Sequence, residues 1–212
     1  MAYTTINDPS AYFQIAEYTG NSSSNSATNT GNVNLQPDFI WGKCRSTTKS
    51  HYLYDSSRGT EKRLSCNSTA AEADNTNGVT AFNSDGFGIS SGNTENDNGE
   101  SYVAWQWVAN GGTVTTVAES GNNPGFTRQT SSESGFSIIS YTGTGSAGTI
   151  AHGLPSTPEW IIFKKRTATS DWDSYHVSIG NGKRMELTNE AQASADTTFM
   201  NNTLPTSTNI TV

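Results

Sequence analysis

The side chains with the chemistry for hydrolysis are a group of acids in the first half of the chain. Cleavage of a glycosidic bond needs one carboxylic acid and one carboxylate held about 5 to 10 Å apart. The candidate acids are Asp55, Asp85, Glu95, Asp97 and Glu100. Asp85 lies in a Ser-Asp-Gly turn and the last three lie in an Asn-rich loop, which are normal places for solvated acids. The pattern favours no catalytic pair, so we predict a protein that is not an enzyme.

The loop formed by residues 93–100 offers many oxygen atoms that could bind calcium. Its acids lack the spacing of an ordered calcium loop, so a polar hairpin tip is the favoured interpretation. The three histidines and two cysteines are scattered without the spacing of a metal site. We predict no metal and no cofactor.

Indole rings could provide flat apolar surfaces on which sugar rings stack. In the segment 102–107, strand alternation places Trp105 and Trp107 on one face, where two indoles more often belong to a core. Trp172 is instead flanked by acids on both sides, which favours an exposed position. We predict Trp172 and Asp173 as the candidate ligand-binding residues.

Composition excludes several classes of function. The net charge is −7 and the largest basic cluster is the run 164–166, which argues against nucleic-acid binding. No apolar run approaches the length of a membrane span, and the N-terminus lacks the basic and apolar regions of a signal peptide. We therefore expect cytoplasmic synthesis, no membrane insertion, and reduced thiols at Cys44 and Cys66.

The elements that position these residues follow from a near-repeat of the chain at an offset of 121 residues. Positions 37–70 align with positions 158–191 without a gap, and 11 of these 34 positions are identical. Upstream, the segment 13–20 matches 136–143 at an offset of 123. A period of this length is typical of two tandem domains of one fold.

The second copy of this repeat is unfinished. The first copy ends with the aromatic run 102–107, whose counterpart would lie beyond residue 220, whereas the sequence ends at Val212. Three alternatives remain open: the strand lies further along a longer chain, a neighbouring chain supplies it, or the second copy has become smaller.

Short aromatic and β-branched runs separated by turn dipeptides predict an all-β protein of sandwich or jelly-roll type. Predicted strands include 11–18, 39–41, 51–55, 63–66, 79–82, 86–89, 102–108, 135–141 and 160–163. We predict tandem β-sandwich domains, with a first copy at 1–110, a Gly/Ser/Thr/Asn-rich linker at 111–134, and a partial second copy at 135–212.

Several ordered segments resemble a repeat found in virion structural proteins of marine tailed phages. They are residues 1–10, 35–41, 54–59, 82–87, 102–107 and 141–154. The resemblance implies a concanavalin-A-like β-sandwich repeat in a tail-fibre-like structural protein. It implies no enzymatic residues.

We therefore expect a protein of the virion, in a tail fibre or on the capsid surface as a decoration, that contributes to assembly and host-surface attachment by binding. Its expected partners are other virion proteins, further chains of the same protein, with a trimer favoured, and a host surface glycan. No nucleic-acid partner is expected. The alternative is a lectin-like adhesin module that recognises host glycans, and a glycan depolymerase is less favoured.

Overall fold

The computed structural model describes residues 6–92, 94–188 and 193–212. The protein is all-β, as predicted: these residues form 18 strands and three short 3-10 helices at Pro9–Ala11, Val177–Ile179 and Phe199–Asn202. None of the helices in these ranges is long and apolar enough to cross a membrane. Both cysteines are unbridged and buried.

The strands follow in chain order. They are β1 (Phe13–Thr19), β2 (Asn25–Ala27), β3 (Phe39–Cys44), β4 (Tyr52–Asp55), β5 (Gly59–Leu64), β6 (Ala73–Asp74), β7 (Val79–Phe82), β8 (Phe87–Ile89), β9 (Ser101–Trp107), β10 (Thr115–Val117), β11 (Phe126–Ser131), β12 (Phe136–Tyr141), β13 (Thr149–Ala151), β14 (Trp160–Lys164), β15 (Trp172–His176), β16 (Lys183–Glu186), β17 (Ser194–Ala195) and β18 (Asn209–Thr211).

The first copy is a sandwich of two antiparallel sheets. A six-stranded sheet of order β1-β9-β3-β4-β5-β6 packs on a three-stranded sheet of order β2-β8-β7. Strand alternation points one face of each sheet into a shared core. The buried members of that core are Ala16, Ala27, Ile40, Cys44, Tyr52, Tyr54, Val79, Phe87, Ile89, Tyr102 and Ala104. The jelly-roll and concanavalin-like connectivity stays a prediction.

The second copy repeats the strand pairing of the first. Phe39 pairs with Asp55 in β3–β4, and Trp160 pairs with His176 in β14–β15, which is the same register moved by 121 residues. The match extends to the sheet edge, where β5–β6 and β16–β17 also keep the register. The four-stranded sheet β14-β15-β16-β17 is therefore the counterpart of β3-β4-β5-β6.

The second copy packs against the outer face of the six-stranded sheet. Phe136 stacks on Trp107 with ring centroids 5.9 Å apart and lies 5.8 Å from Phe39. Glu72 of the first copy joins Arg166 of the second through two hydrogen bonds of 2.9 Å. These contacts place the second copy directly on the first.

The interval 111–134 differs from the predicted linker because it contains strands β10 and β11. Phe126 belongs to the apolar core of the second copy, and Gln129 is fully buried. The Gln129 amide donates to the hydroxyls of Ser56 and Ser57 at 2.9 and 2.6 Å. The polar composition of this interval does not indicate strands, because the buried side chains there are stabilised partly by hydrogen bonds and not by apolar packing alone.

Candidate functional site

Trp172 is buried rather than exposed, which corrects the prediction that it provides a stacking surface. It is only 5% exposed and packs with Leu53, Leu64 and Cys66. Its indole Nε1 donates to the backbone oxygens of Ser65 and Ser68 at 3.0 and 3.1 Å. The flanking acids are a misleading signal, because Asp171 and Asp173 bond within the second copy while the indole between them is buried.

Asp173 forms part of a salt-bridge cluster and does not accompany an open tryptophan. It pairs with Arg184, whose guanidinium also lies 3.2 Å from the carboxylates of Glu186 and Asp196. This cluster joins β15, β16 and the end of β17. Asp173 therefore stabilises the sheet of the second copy.

The loop after β8 covers one end of the first sandwich. Asn93 lies outside the described residues, whereas Glu95 and Asn96 are almost completely buried. The Glu95 carboxylate accepts hydrogen bonds of 3.0 Å from Tyr54 and Asn75. Lys49 donates to Asp97 at 2.8 Å. Among the described residues, no group of three or more His, Cys, Asp or Glu side chains could hold a metal ion.

The remaining candidate acids also have defined contacts in the first copy. Asp55 pairs with Arg58. Asp85 accepts from the backbone N–H of Leu35 at 3.3 Å, and Glu100 accepts from the hydroxyl of Ser46. These contacts bind loops and turns to the sandwich.

The alternation predicted for β9 is present, but the core lies on the opposite face from the indoles. Tyr102, Ala104 and Gln106 are fully buried, whereas Trp105 and Trp107 are half-buried on the other side. The Tyr102 hydroxyl accepts from the Asp97 N–H at 2.9 Å, and the Gln106 amide donates to Asn29 at 2.6 Å, whereas the Gln106 Oε1 is buried without a hydrogen-bond partner. Burial raises the pKa of Tyr102 to about 12.

The feature with the potential for binding is the place where the second copy lacks a counterpart of β9. In the first copy β9 lies between β1 and β3 and pairs with both along its whole length. Their counterparts are β12 and β14, which lie in separate sheets. In the part of the chain that the structure describes, no strand pairs with the facing edges of β12 and β14. We call this interval between β12 and β14 the strand slot.

Side chains beside the slot are less buried than their counterparts in the first copy. Ile40 is fully buried, whereas Ile161 at the same position is half-buried. Tyr18 stacks on Tyr102 with ring centroids 5.0 Å apart and planes 8° apart, but its counterpart Tyr141 is 39% exposed. The greater exposure in the second copy corresponds to apolar surface that β9 covers in the first copy.

A cavity of about 320 Å³ lies beside Tyr141, at the end of β12. In the first copy the corresponding place is filled by the loop residue Asn96, which accepts from the backbone N–H groups of Asn21 and Ser22. The lining of the cavity includes the ring of Tyr141, the loop 143–147 and Val212. The opening is therefore bounded by an aromatic ring and a Gly/Thr/Ser-rich loop.

The same arginine position contacts the opposite flanking strand in both copies. In the first, Arg45 forms an ion pair with Glu17. In the second, Arg166 at the corresponding position donates to the Ser140 hydroxyl at 2.8 Å. A long arginine side chain thus links the two flanking strands in each copy.

The sequence repeat indicated that a strand is missing but not which side chains line its place. Ile139, Ile161 and Phe163 carry no signal of a binding site in the sequence, because they are ordinary apolar strand residues. Aligning each of them with its first-copy counterpart, Ala16, Ile40 or Gly42, could have identified them.

Fold and site together define an all-β protein of two packed, related units, the second of which has an open strand slot. The chain belongs to the family described as Domain of unknown function (DUF7483), which matches residues 8–212 and so includes both copies. No curated protein and no solved structure matches the chain.

Proposed function

We propose that the protein is a structural component of a virus particle, tail-fibre-like or on the capsid surface, that acts by binding partner chains. The observation that carries this proposal is the strand slot, because unpaired strand edges are sites where a further chain can add a strand. The resemblance of its segments to virion proteins of marine tailed phages supports the location. The packed sandwich supports a scaffold role, since such folds present binding loops on a rigid frame.

Host attachment through a surface glycan is the second candidate function, and the cavity at Tyr141 favours it. An exposed tyrosine ring beside the loop 143–147 provides an apolar face with hydroxyl and backbone groups around it. This arrangement suits a sugar ring. The first copy favours a protein strand over a glycan, because there a strand stacks on Tyr18, the counterpart of Tyr141.

The test uses particles purified from the virus that encodes the protein. Mass spectrometry of density-banded particles should detect the chain in fixed proportion to the major capsid protein. A glycan array and a reducing-sugar release assay on the purified chain separate the alternatives. Absence of the chain from intact particles, or release of reducing sugar, would contradict the proposal.

A further inference from the structure

We infer that the strand slot accepts an extended segment of a neighbouring polypeptide, antiparallel to both β12 and β14, with an aromatic residue followed two positions later by alanine or glycine. This inference rests on the proposed function, because it specifies the partner of the same site. The first copy provides the template, since β9 is antiparallel to both of its neighbours.

The register of β9 assigns each inward position of the incoming strand. Tyr102 lies between Tyr18 and Cys44, and Ala104 lies between Ala16 and Gly42. The corresponding flanks in the second copy are Tyr141 with Lys165, and Ile139 with Phe163. Two successive inward positions of the partner are thereby defined.

The first inward position calls for an aromatic ring. In the first copy the Tyr102 ring fills this place by stacking on Tyr18. In the second copy the ring at the position of Tyr18 is Tyr141, which is 39% exposed. A ring entering there would cover the exposed face of Tyr141 and gain the burial of apolar area.

The second inward position calls for a small residue. A Cβ on Gly42 would approach Tyr52 to 1.9 Å, so the first copy needs glycine there. In the second copy the larger side chain of this pair lies on the other strand. Phe163 occupies the position of Gly42, and its partner Asp173 occupies the position of Tyr52. Phe163 on one side and Ile139 on the other leave less room than Gly42 and Ala16, so a side chain larger than that of alanine would clash.

Charge complementarity adds an acid just before the aromatic residue. Lys165 is exposed where the first copy has the buried Cys44. In the first copy the backbone N–H of Arg45 donates to the Ser101 oxygen at 2.7 Å, just before the aromatic residue of β9. The counterpart of Arg45 is Arg166, so the corresponding residues of the partner would lie beside the basic run 164–166. Glu100 precedes β9 in the same way. An acidic residue at this point of the partner would be attracted to the basic run.

β9 of the first copy cannot itself fill the slot, because it is already committed. Tyr102, Ala104 and Gln106 are fully buried, and β9 is paired on both edges. Releasing β9 would open the core of the first copy. The slot therefore accepts a strand other than β9.

The experiment uses the 212-residue protein and a fluorescent peptide with the sequence of residues 99–109 as the probe. Fluorescence anisotropy should show binding at one peptide per chain. An Ala104→Leu peptide and a Tyr102→Ser peptide should each bind about tenfold more weakly or less. A peptide methylated on alternate backbone nitrogens should not bind, because it cannot pair with the strand edges.

A protein variant tests the location. Tyr141→Ser removes the ring on which the partner's aromatic residue would stack and should weaken binding about tenfold, whereas Ser132→Trp, on an exposed turn, should leave it unchanged. No binding, equal binding of the Ala104→Leu peptide, or displacement by a glycan found on the array would overturn the inference. Detection of the chain in particles tests the proposed function separately, so either idea can fail while the other stands.

Discussion

Arg166 donates to the hydroxyl of Ser140 at 2.8 Å, at the same repeat position where Arg45 pairs with Glu17. In the first copy this contact passes over β9, because the arginine follows β3 and the glutamate lies in β1. In the second copy it joins β12 to the end of β14, with no strand placed between them in the described residues. The second copy thus keeps the cross-strand link while leaving the intervening position open.

Changing Ser140 to glutamate should recreate the ion pair of the first copy. Exposed and half-exposed pairs of this kind contribute about 0.2 to 1 kcal/mol, so Ser140→Glu should raise the free energy of unfolding by an amount in that range. The gain should shrink in high salt because screening weakens the pair. Urea unfolding measures it, with Ser132→Glu on an exposed turn as the control. A destabilisation would contradict the assigned geometry.

The stack of Trp107 on Phe136 should couple the two copies energetically. Trp107→Ala should cost about 2 kcal/mol or more, since it removes a large ring from a packed contact. In a double-mutant cycle with Phe136→Ala, the coupling should be about 0.5 to 1.5 kcal/mol. Urea unfolding of the four proteins gives this value. Strict additivity would mean that the rings do not meet in solution.

Glu72 should make the contact between the copies sensitive to acid. Burial opposes its charge, but hydrogen bonds from Arg166 and Arg58 hold the pKa of Glu72 below its ordinary value of 4.5. A depressed folded pKa contributes stability that is fully present above pH 4.5 and is lost as the pH falls through the folded pKa. The stability difference between wild type and Glu72→Gln should therefore be large at neutral pH and shrink on acidification.

Unfolding midpoints in urea across a pH series test this expectation. Glu61→Gln, an exposed position on β5, is the matched control and should stay within about 0.5 kcal/mol of wild type at neutral pH. A difference for Glu72→Gln that stays constant as the pH falls below 4.5 would argue against the ion pairs.

Trp172 should behave as a structural residue and not as a glycan contact. Trp172→Phe keeps a ring but loses the donor to Ser65 and Ser68, leaving buried carbonyl oxygens without it, which should cost about 1 to 3 kcal/mol. Trp160→Phe is the matched control, because Trp160 is 53% exposed, and it should cost less than Trp172→Phe. Thermal melting separates the two, and equal effects would contradict the burial of Trp172.

The strand pattern could be predicted from sequence because its signals are local. Residues 79–82 form β7 as predicted, and the other predicted strands match to within a few residues, since β-branched runs and turn dipeptides act over short distances. The missing strand could also be predicted, because the repeat provided its own template. Both results depend on comparing the chain with itself.

The burial of Trp172 and the strands within 111–134 could not be predicted, because both depend on how the two copies pack. The sequence around Trp172 predicts an exposed side chain, because its hydrogen-bond partners Ser65 and Ser68 lie more than 100 positions away. The sequence predicts that Gln129 is a linker residue, and only the folded structure places Ser56 and Ser57 within hydrogen-bond distance of its amide. Contacts of long sequence separation leave no periodic pattern in a single sequence.

The most direct test of the central claim, that the slot between β12 and β14 accepts a strand, is amide hydrogen exchange of the 212-residue protein with and without the peptide of sequence 99–109. Amides of Phe136–Tyr141 and Trp160–Lys164 should gain protection together, because one strand hydrogen-bonds to both edges. Amides of Lys183–Glu186, away from the slot, should not change. Protection in neither strand, or in one without the other, would contradict the claim.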